Sequence, residues 1–356
     1  MLHSLEGVSV RVERVTLEEV QAVGGPVGAA KALRGTIDGD QLGIAAVVAD
    51  IDAHVFIQGD EAVYEFTRKF DTGGEQPREL RVPAHELDEA LERMPLDVVA
   101  GLQVAIVNVA RVADAQVDAG QVEVELAQGH RVTLRELPVA SAAVYAPGGR
   151  AAYPSTVVMG VVTARAAGVL DVAVCTPPGP DGQAHEAILA ACRLCGVERV
   201  YRMGGAQAIA ALAHGTESVA RVDVVVGPGN VYVQEAKRHL SSVVGIDGFA
   251  GPSDLLIVLG PDADPRLAAL DLLAQAEHGT GSLVAAVSSS RQALNALQIE
   301  IEREAASWPE LQPDACVLIE CATPADTIEL ANAFAPEHLQ LVGAAEQALA
   351  PKVRTA

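Results

Sequence analysis

The sequence predicts an α/β protein: two Rossmann-like, doubly wound domains with mostly parallel sheets, plus a small N-terminal helical element. Three observations predict it. After Leu137-Pro138, short apolar runs alternate with helix-period segments, the pattern of parallel strands joined by crossover helices. The alternation comes in two blocks, one from about Pro138 to Ser253 and one beginning at Leu255. Half of the 356 residues are apolar but only 3% are aromatic, so Ala, Val and Leu must build the cores of a chain long enough for two domains.

The first forty residues are weakly patterned, with one helix near Leu17 to Val23 and a break at Gly24-Gly25-Pro26. From about Asp40 to Phe70 the spacing is helical. Val48, Ile51, Val55 and Ile57 give an apolar face, and Gly59-Asp60-Glu61 opens a second amphipathic run. Pro83 to Leu87 starts a longer helical stretch reaching about Ala115. Gln121–Leu126 and Arg131–Arg135 alternate with period two, and Gln128-Gly129 between them reads as a hairpin turn.

The first α/β block follows: a strand at Ala142 to Tyr145, the turn Pro147-Gly148-Gly149, a helix from about Ser155 to Ala167, and a strand at Leu170 to Cys175. After the loop Thr176 to Pro180 come a helix (Ala184 to Cys195), a strand (Arg199 to Arg202), Gly204-Gly205 with a short helix, and a strand (Val222 to Val226). The second block has strands at Leu255–Leu259, Leu283–Val287 and Cys316–Ile319. Its helices are Pro265–Glu277, Arg291–Ala305 and Ala325–Phe334, and a short strand lies around Leu339, Leu341 and Val342. The predicted division is therefore 1–40 as the N-terminal element, 41–138 with 254–356 as one discontinuous α/β domain, and 139–253 as an incomplete Rossmann-like domain.

A formal charge of −22 argues against a nucleic-acid partner and against anionic membrane surfaces, and suits a soluble cytoplasmic enzyme. The start, Met1 to Glu6, has neither the basic nor the apolar region of a signal peptide. The longest apolar candidate, around Val157 to Val174, is interrupted by Arg165 and Asp171. Five cysteines fit a reducing compartment. Cys192 and Cys195 form a C-x-x-C inside a helical run with no second pair at zinc-knuckle spacing, so they read as small buried hydrophobes.

Two Glu-His pairs carry the strongest chemical signal. In Gln275-Ala276-Glu277-His278, Gln275 and His278 share one face of a helix near its C-terminal end. They are either a pair of zinc donors or an ordinary capped helix end. In Ala335-Pro336-Glu337-His338-Leu339, the pair stands at the mouth of a strand, where an imidazole can accept an alcohol proton; a solvated surface pair is the alternative. Gly204-Gly205-Ala206-Gln207 and Gly227-Pro228-Gly229-Asn230 each follow a strand and open a helix. They are either phosphate-binding turns or simply tight ones. Gly251-Pro252-Ser253-Asp254 lacks the pattern of a nucleophile elbow, so Ser253 suits substrate binding better than attack.

Together these motifs, in this order, resemble the histidinol dehydrogenase family. The blocks are Tyr145-Ala146-Pro147-Gly148-Gly149, Tyr153-Pro154-Ser155-Thr156-Val157, Gly204 to Leu212, Gly227-Pro228-Gly229-Asn230, Ala250 to Ser253, Asp271 to His278 and Ala335 to Leu339, with Gly59 to Asp71 fitting as well. The resemblance implies oxidation of L-histidinol to L-histidine through histidinal, with two NAD and a Zn2+ ion, in histidine biosynthesis. It implies that Tyr145, Gln207 and Asn230 contact NAD in 139–253. In the discontinuous domain it makes Ser253 a substrate contact, Gln275 and His278 zinc ligands that border the substrate, His338 the substrate-facing general base, and Glu337 the activator of water. It also implies a homodimer with a shared active site.

The chain departs from the family at Asp254, where Glu is usual, and at Gly279-Thr280-Gly281-Ser282. The family also continues past Val353-Arg354-Thr355-Ala356, into a segment that holds two more zinc ligands, an Asp and a His, the His coming from the partner subunit. The expectation is thus a chain lacking that segment, with weak zinc binding and little activity. Two other readings stay open: a related dehydrogenase for another amino or sulfonated alcohol, and a shortened non-catalytic homologue that binds nucleotide or a full-length subunit.

Overall fold

The computed structural model describes residues 11–34, 41–117, 121–148, 152–248, 253–276, 283–307 and 316–356. By packing, the chain forms two compact units. The first is Met1–Gly39 with Pro252–Ala356, and the second is Asp40–Gly251. The first unit begins with β1 (Val12–Val15), α1 (Leu17–Ala22) and α2 (Gly25–Arg34). A capping box between Thr16 and Glu19 starts α1.

The second unit runs through α3 (Gln41–Gln58), α4 (Asp60–Phe70), α5 (Ala84–Arg93), α6 (Leu96–Gln116) and the hairpin β2 (Val122–Glu125) and β3 (Arg131–Leu134). It continues with β4 (Ser141–Tyr145), α7 (Pro154–Ala166), β5 (Asp171–Thr176), α8 (Glu186–Leu194), β6 (Arg199–Arg202), α9 (Gly205–His214), β7 (Val224–Val226), α10 (Val231–Leu240) and β8 (Gly245–Ile246). Its five-stranded sheet has the order β6-β5-β4-β7-β8 and is parallel throughout. Counted along the chain this is 3-2-1-4-5, a Rossmann sheet short of its sixth strand. Alternate residues of β4 enter opposite cores. Ala143 and Tyr145 face one with α3, α4, α9 and α10, and Ala142 and Val144 face the other with α5, α7 and α8. Helices on both faces make the unit doubly wound.

The first unit resumes with β9 (Asp254–Leu259), α11 (Pro265–Ala276), β10 (Leu283–Ser288), α12 (Arg291–Ala305), β11 (Cys316–Glu320), α13 (Pro324–Phe334), β12 (His338–Val342) and α14 (Ala344–Gln347). Its sheet is also parallel, in the order β1-β11-β10-β9-β12. The four strands after β1 repeat the 3-2-1-4 arrangement. Leu256 and Val258 face a core with α1, α2 and α13, and Leu255 and Ile257 face one with α11 and α12.

The α/β class stands as predicted. Four local features differ from the sequence pattern. First, the segment 41–138 packs with 139–251 rather than with 254–356. Val48, Ile51, Val55, Ala62 and Val63 share a core with β4 and β5, and buried Arg202 pairs with Glu86 to fasten α5 to β6. Second, the N-terminal stretch contributes β1 at a sheet edge rather than helix alone. Third, the helix expected from 83 to 115 breaks into α5 and α6 at Pro95, because the preceding Met94 is held extended at ψ 136°. Fourth, the hairpin β2–β3 is exposed on both faces despite its alternation. By length and composition α6 could cross a membrane, yet Asp97, Arg111 and Asp114 interrupt it.

Candidate active site

Tyr145, Gln207 and Asn230 fall on one edge of one sheet, and Ser253, Gln275, Glu337 and His338 on one edge of the other. In the second unit that edge is the C-terminal one, at the switch point where β4 and β7 send their connections to opposite sides. Ala146, Pro147 and Gly148 leave β4, and the turn Gly227–Asn230 leaves β7. Gly227 adopts φ 114°, and a Cβ there would lie 2.3 Å from the carbonyl oxygen of Tyr145, so only glycine fits. Asn230 caps α10, its Oδ1 accepting the N–H groups of Tyr232 and Val233 at 3.1 Å each.

Tyr145 and Gln207 are more buried than ligand contacts usually are, at 4% and 1% exposure. The Tyr145 hydroxyl accepts the N–H of Gly205 at 3.2 Å, and burial drives its phenol well above the usual tyrosine range. These two residues therefore shape the Gly204-Gly205 turn from beneath. Gln207 Nε2 reaches Asp71 Oδ2 at 3.4 Å, a long contact. Desolvation pushes the Asp71 carboxyl up to about 6.

Two observations suit a nucleotide here. Thr176, at the end of β5, is fully buried, yet its Oγ1 has no hydrogen-bond partner. Gly148 lies directly over it, and a Cβ on Gly148 would come within 2.6 Å of that oxygen. A bare glycine beside an unsatisfied hydroxyl, with two glycine turns on the same edge, fits the close backbone approach of a dinucleotide.

In the first unit the motif residues gather at the N-terminal edge of the sheet. Ser253 immediately precedes β9. Gln275 near the end of α11 donates from Nε2 to Ser253 Oγ at 2.6 Å. Ala335 takes a left-handed conformation (φ 53°) that ends α13 and turns the chain into Pro336, Glu337 and β12. The N–H of Glu337 donates to Asp254 Oδ1 at 2.7 Å, and Asp254 is 2% exposed. His338 is the first residue of β12, in register with Leu255. Its Nε2 lies 3.8 Å from Glu337 Oε2, and both side chains are about half exposed. Ser253, Gln275, Glu337 and His338 thus share one end of a sheet, with His338 beginning its strand rather than ending it.

The C-terminal edge of this sheet is acidic. Asp262 Oδ2 accepts the N–H of Ala344, while buried Glu346 packs its carboxylate against Gly260 and Gly343 beside Asp262. Carboxylates there disfavour a diphosphate, although the sheet repeats the topology of the other.

His278 and Glu277 lie outside the described residues. Among the described residues, no group of three His, Cys, Asp or Glu side chains could hold a metal. Gln275 supplies one uncommon donor where a catalytic zinc usually takes three protein ligands, so the described residues alone do not make a zinc site. The cysteines are buried and free. Cys192 and Cys195 sit in the α7–α8 core, and burial pushes the Cys195 thiol up to about 11, as structural cysteines require.

Comparison with known proteins gives the family. The histidinol dehydrogenase family model matches residues 36–356. The chain belongs to the histidinol dehydrogenase family. It is 41% identical over 317 residues to the histidinol dehydrogenase of Synechococcus sp., covering 87% of this chain and 73% of that protein. It is 39% identical over 310 residues to that of Gluconobacter oxydans, covering 85% and 71%. The crystal structure of histidinol dehydrogenase from Elizabethkingia anophelis superposes with a TM-score of 0.85 at 27% identity, covering 98% of this chain and 79% of that one.

The candidate edges hold more than the motifs reveal. Asp71, Thr176, Lys237 and Asp247 in the second unit, and Asp254 in the first, bear directly on motif residues or turns. The sequence signal for Asp254 is its place next to Ser253. Asp71 closes the family-matching run from Gly59, while Thr176, Lys237 and Asp247 carry no local signal, because distant segments bring them to the edge.

Proposed function

We propose that this chain is a zinc- and NAD-dependent histidinol dehydrogenase, oxidising L-histidinol to L-histidine through histidinal with two hydride transfers, in histidine biosynthesis in the cytoplasm. The observation that carries the reading is the gathering of Ser253, Gln275, Glu337 and His338 at one end of one sheet. NAD would lie on the second unit's switch-point edge, against the turns at Gly148, Gly204-Gly205 and Gly227–Asn230, with Tyr145, Gln207 and Asn230 shaping or meeting it. When bound, NAD supplies the hydride acceptor.

The chain's own groups handle the protons. His338 accepts the alcohol proton at a ring nitrogen, and its exposed position lets substrate reach it. Glu337, beside it, draws a proton from the water that hydrates the aldehyde. Asp254 holds the Glu337 backbone, so both groups keep one orientation. Ser253 and Gln275, already hydrogen-bonded to each other, orient substrate. Zinc would be held by Gln275 and His278 with ligands beyond those described, and its contribution would be to anchor the substrate. The working form is a homodimer, and exposed Val104, Val107, Val122 and Leu134 on α6 and the hairpin offer a second copy an apolar surface.

The test is NADH formation from L-histidinol with zinc saturating. Two NADH per L-histidinol consumed is the expected stoichiometry. No turnover by a chain carrying the family's further zinc ligands, with substrate and metal saturating, would sink the reading.

A further inference from the structure

Lys237 lies on α10, in the part of the second unit that carries the Gly227–Asn230 turn, and it is 1% exposed. A lysine so deeply buried needs a reason. Its Nζ donates to the carbonyl oxygen of Gly227 at 2.9 Å and pairs with the carboxylate of Asp247, just beyond β8. The other oxygen of Asp247 accepts the N–H of Gly227 at 2.7 Å. The three residues close a ring. One glycine is gripped through both its donor and its acceptor, by a cation from a helix and an anion from the neighbouring strand.

This glycine is the one at φ 114° where a Cβ would strike the Tyr145 carbonyl. It is the first residue beyond β7 at the switch point, and Asn230 follows three residues later. Fixing Gly227 therefore fixes how the whole turn leaves the sheet. An internal ion pair adds little to stability on average, because desolvation offsets attraction. Its effect at this place is geometric.

We propose that Lys237 and Asp247 are positioning residues of the nucleotide site, clamping the Gly227–Asn230 turn in the shape that receives the NAD diphosphate. Lys237 has a second effect. Asp247 is 40% exposed beside the turn, and Lys237 balances its negative charge where two phosphates would lie. Loss of Lys237 loosens the turn and leaves a carboxylate facing the ligand. The inference rests on the NAD reading given above.

The test compares K237M, D247N and the K237M/D247N double variant of the full chain. NAD affinity is measured by calorimetry, and thermal stability and amide hydrogen exchange are followed alongside. Methionine matches the lysine stem, and the carboxylate it strands is partly solvated, so the fold survives. K237M is expected to weaken NAD binding on the order of tenfold, a single coupled interaction's worth. Exchange at residues 227–234 should rise without NAD present. The double variant should recover part of the lost affinity, because removing the stranded charge relieves repulsion; a merely structural role predicts further loss. K237M that binds NAD as the unsubstituted chain does, or losses that simply add, overturn the clamp while leaving the NAD reading intact. An unsubstituted chain that fails to bind NAD overturns that reading, and this inference with it.

Discussion

Replacing Asp71 by Asn should stabilise the protein at neutral pH and leave it unchanged in acid. Burial raises the Asp71 carboxyl from 3.8 to about 6. In the unfolded chain the group titrates near the ordinary aspartate value. The folded state thus holds the proton more tightly. Asp71 favours folding fully below the unfolded pKa, and that contribution is lost as pH rises through about 6. The gap corresponds to at most about 3 kcal/mol, and about 2 kcal/mol after allowing for the part of the side chain that reaches solvent. Asparagine keeps an oxygen for the Gln207 amide and cannot ionise. Urea unfolding of wild type and D71N from pH 4 to pH 7.5 should show the two curves converging in acid, with D71N more stable above pH 6.5. A constant difference across that range, or an Asp71 resonance titrating near 4, would refute the reasoning.

H338A should abolish turnover while leaving NAD affinity nearly intact, since the proposed role of His338 is with the alcohol proton; a parallel loss of NAD binding in calorimetry would remove it from the role of base. D254A strips the acceptor from the Glu337 N–H in a buried setting, at a cost of about 1–3 kcal/mol of stability, and should lower kcat by loosening the Glu337–His338 pair. Chemical denaturation and steady-state rates check both effects, and full activity in D254A would contradict them. T176V removes an unpaired buried hydroxyl and should raise the melting temperature slightly while weakening NAD binding. T67V removes another such hydroxyl from α4 and should give the first effect without the second. Equal NAD affinities in the two variants would argue against Thr176 as part of the nucleotide site.

Much of the fold is legible in the sequence because parallel strands buried on both faces leave plain apolar runs, such as Leu255–Leu259 and Leu283–Val287. The division of the chain is not. The apolar stripe of α3 shows that it buries a face, but nothing in Val48, Ile51 and Val55 says which sheet they cover. β1 escapes notice because four half-buried residues with mixed polarity make too short a pattern. At the site, Gln275 and the Glu337–His338 pair stand out as local motifs. Lys237 does not, since on sequence it is one of three basic residues in the last turn of a helix, where cations ordinarily face solvent. Its meaning comes from Asp247 and Gly227, which the sheet brings to it. Asp71 acquires its raised pKa from burial, which no spacing encodes.

In the proposed function the two sheets divide the work. NAD would lie on the C-terminal edge of the second unit's sheet, and the acid/base pair would belong to the first. Hydrogen-exchange mass spectrometry with and without saturating NAD tests this most directly. Protection should appear at 145–148, 204–207 and 227–234, with none at 260–263 or 343–347, where Asp262 and Glu346 repel phosphate. Protection confined to the first unit, or none at the Gly227–Asn230 turn, would contradict the assignment.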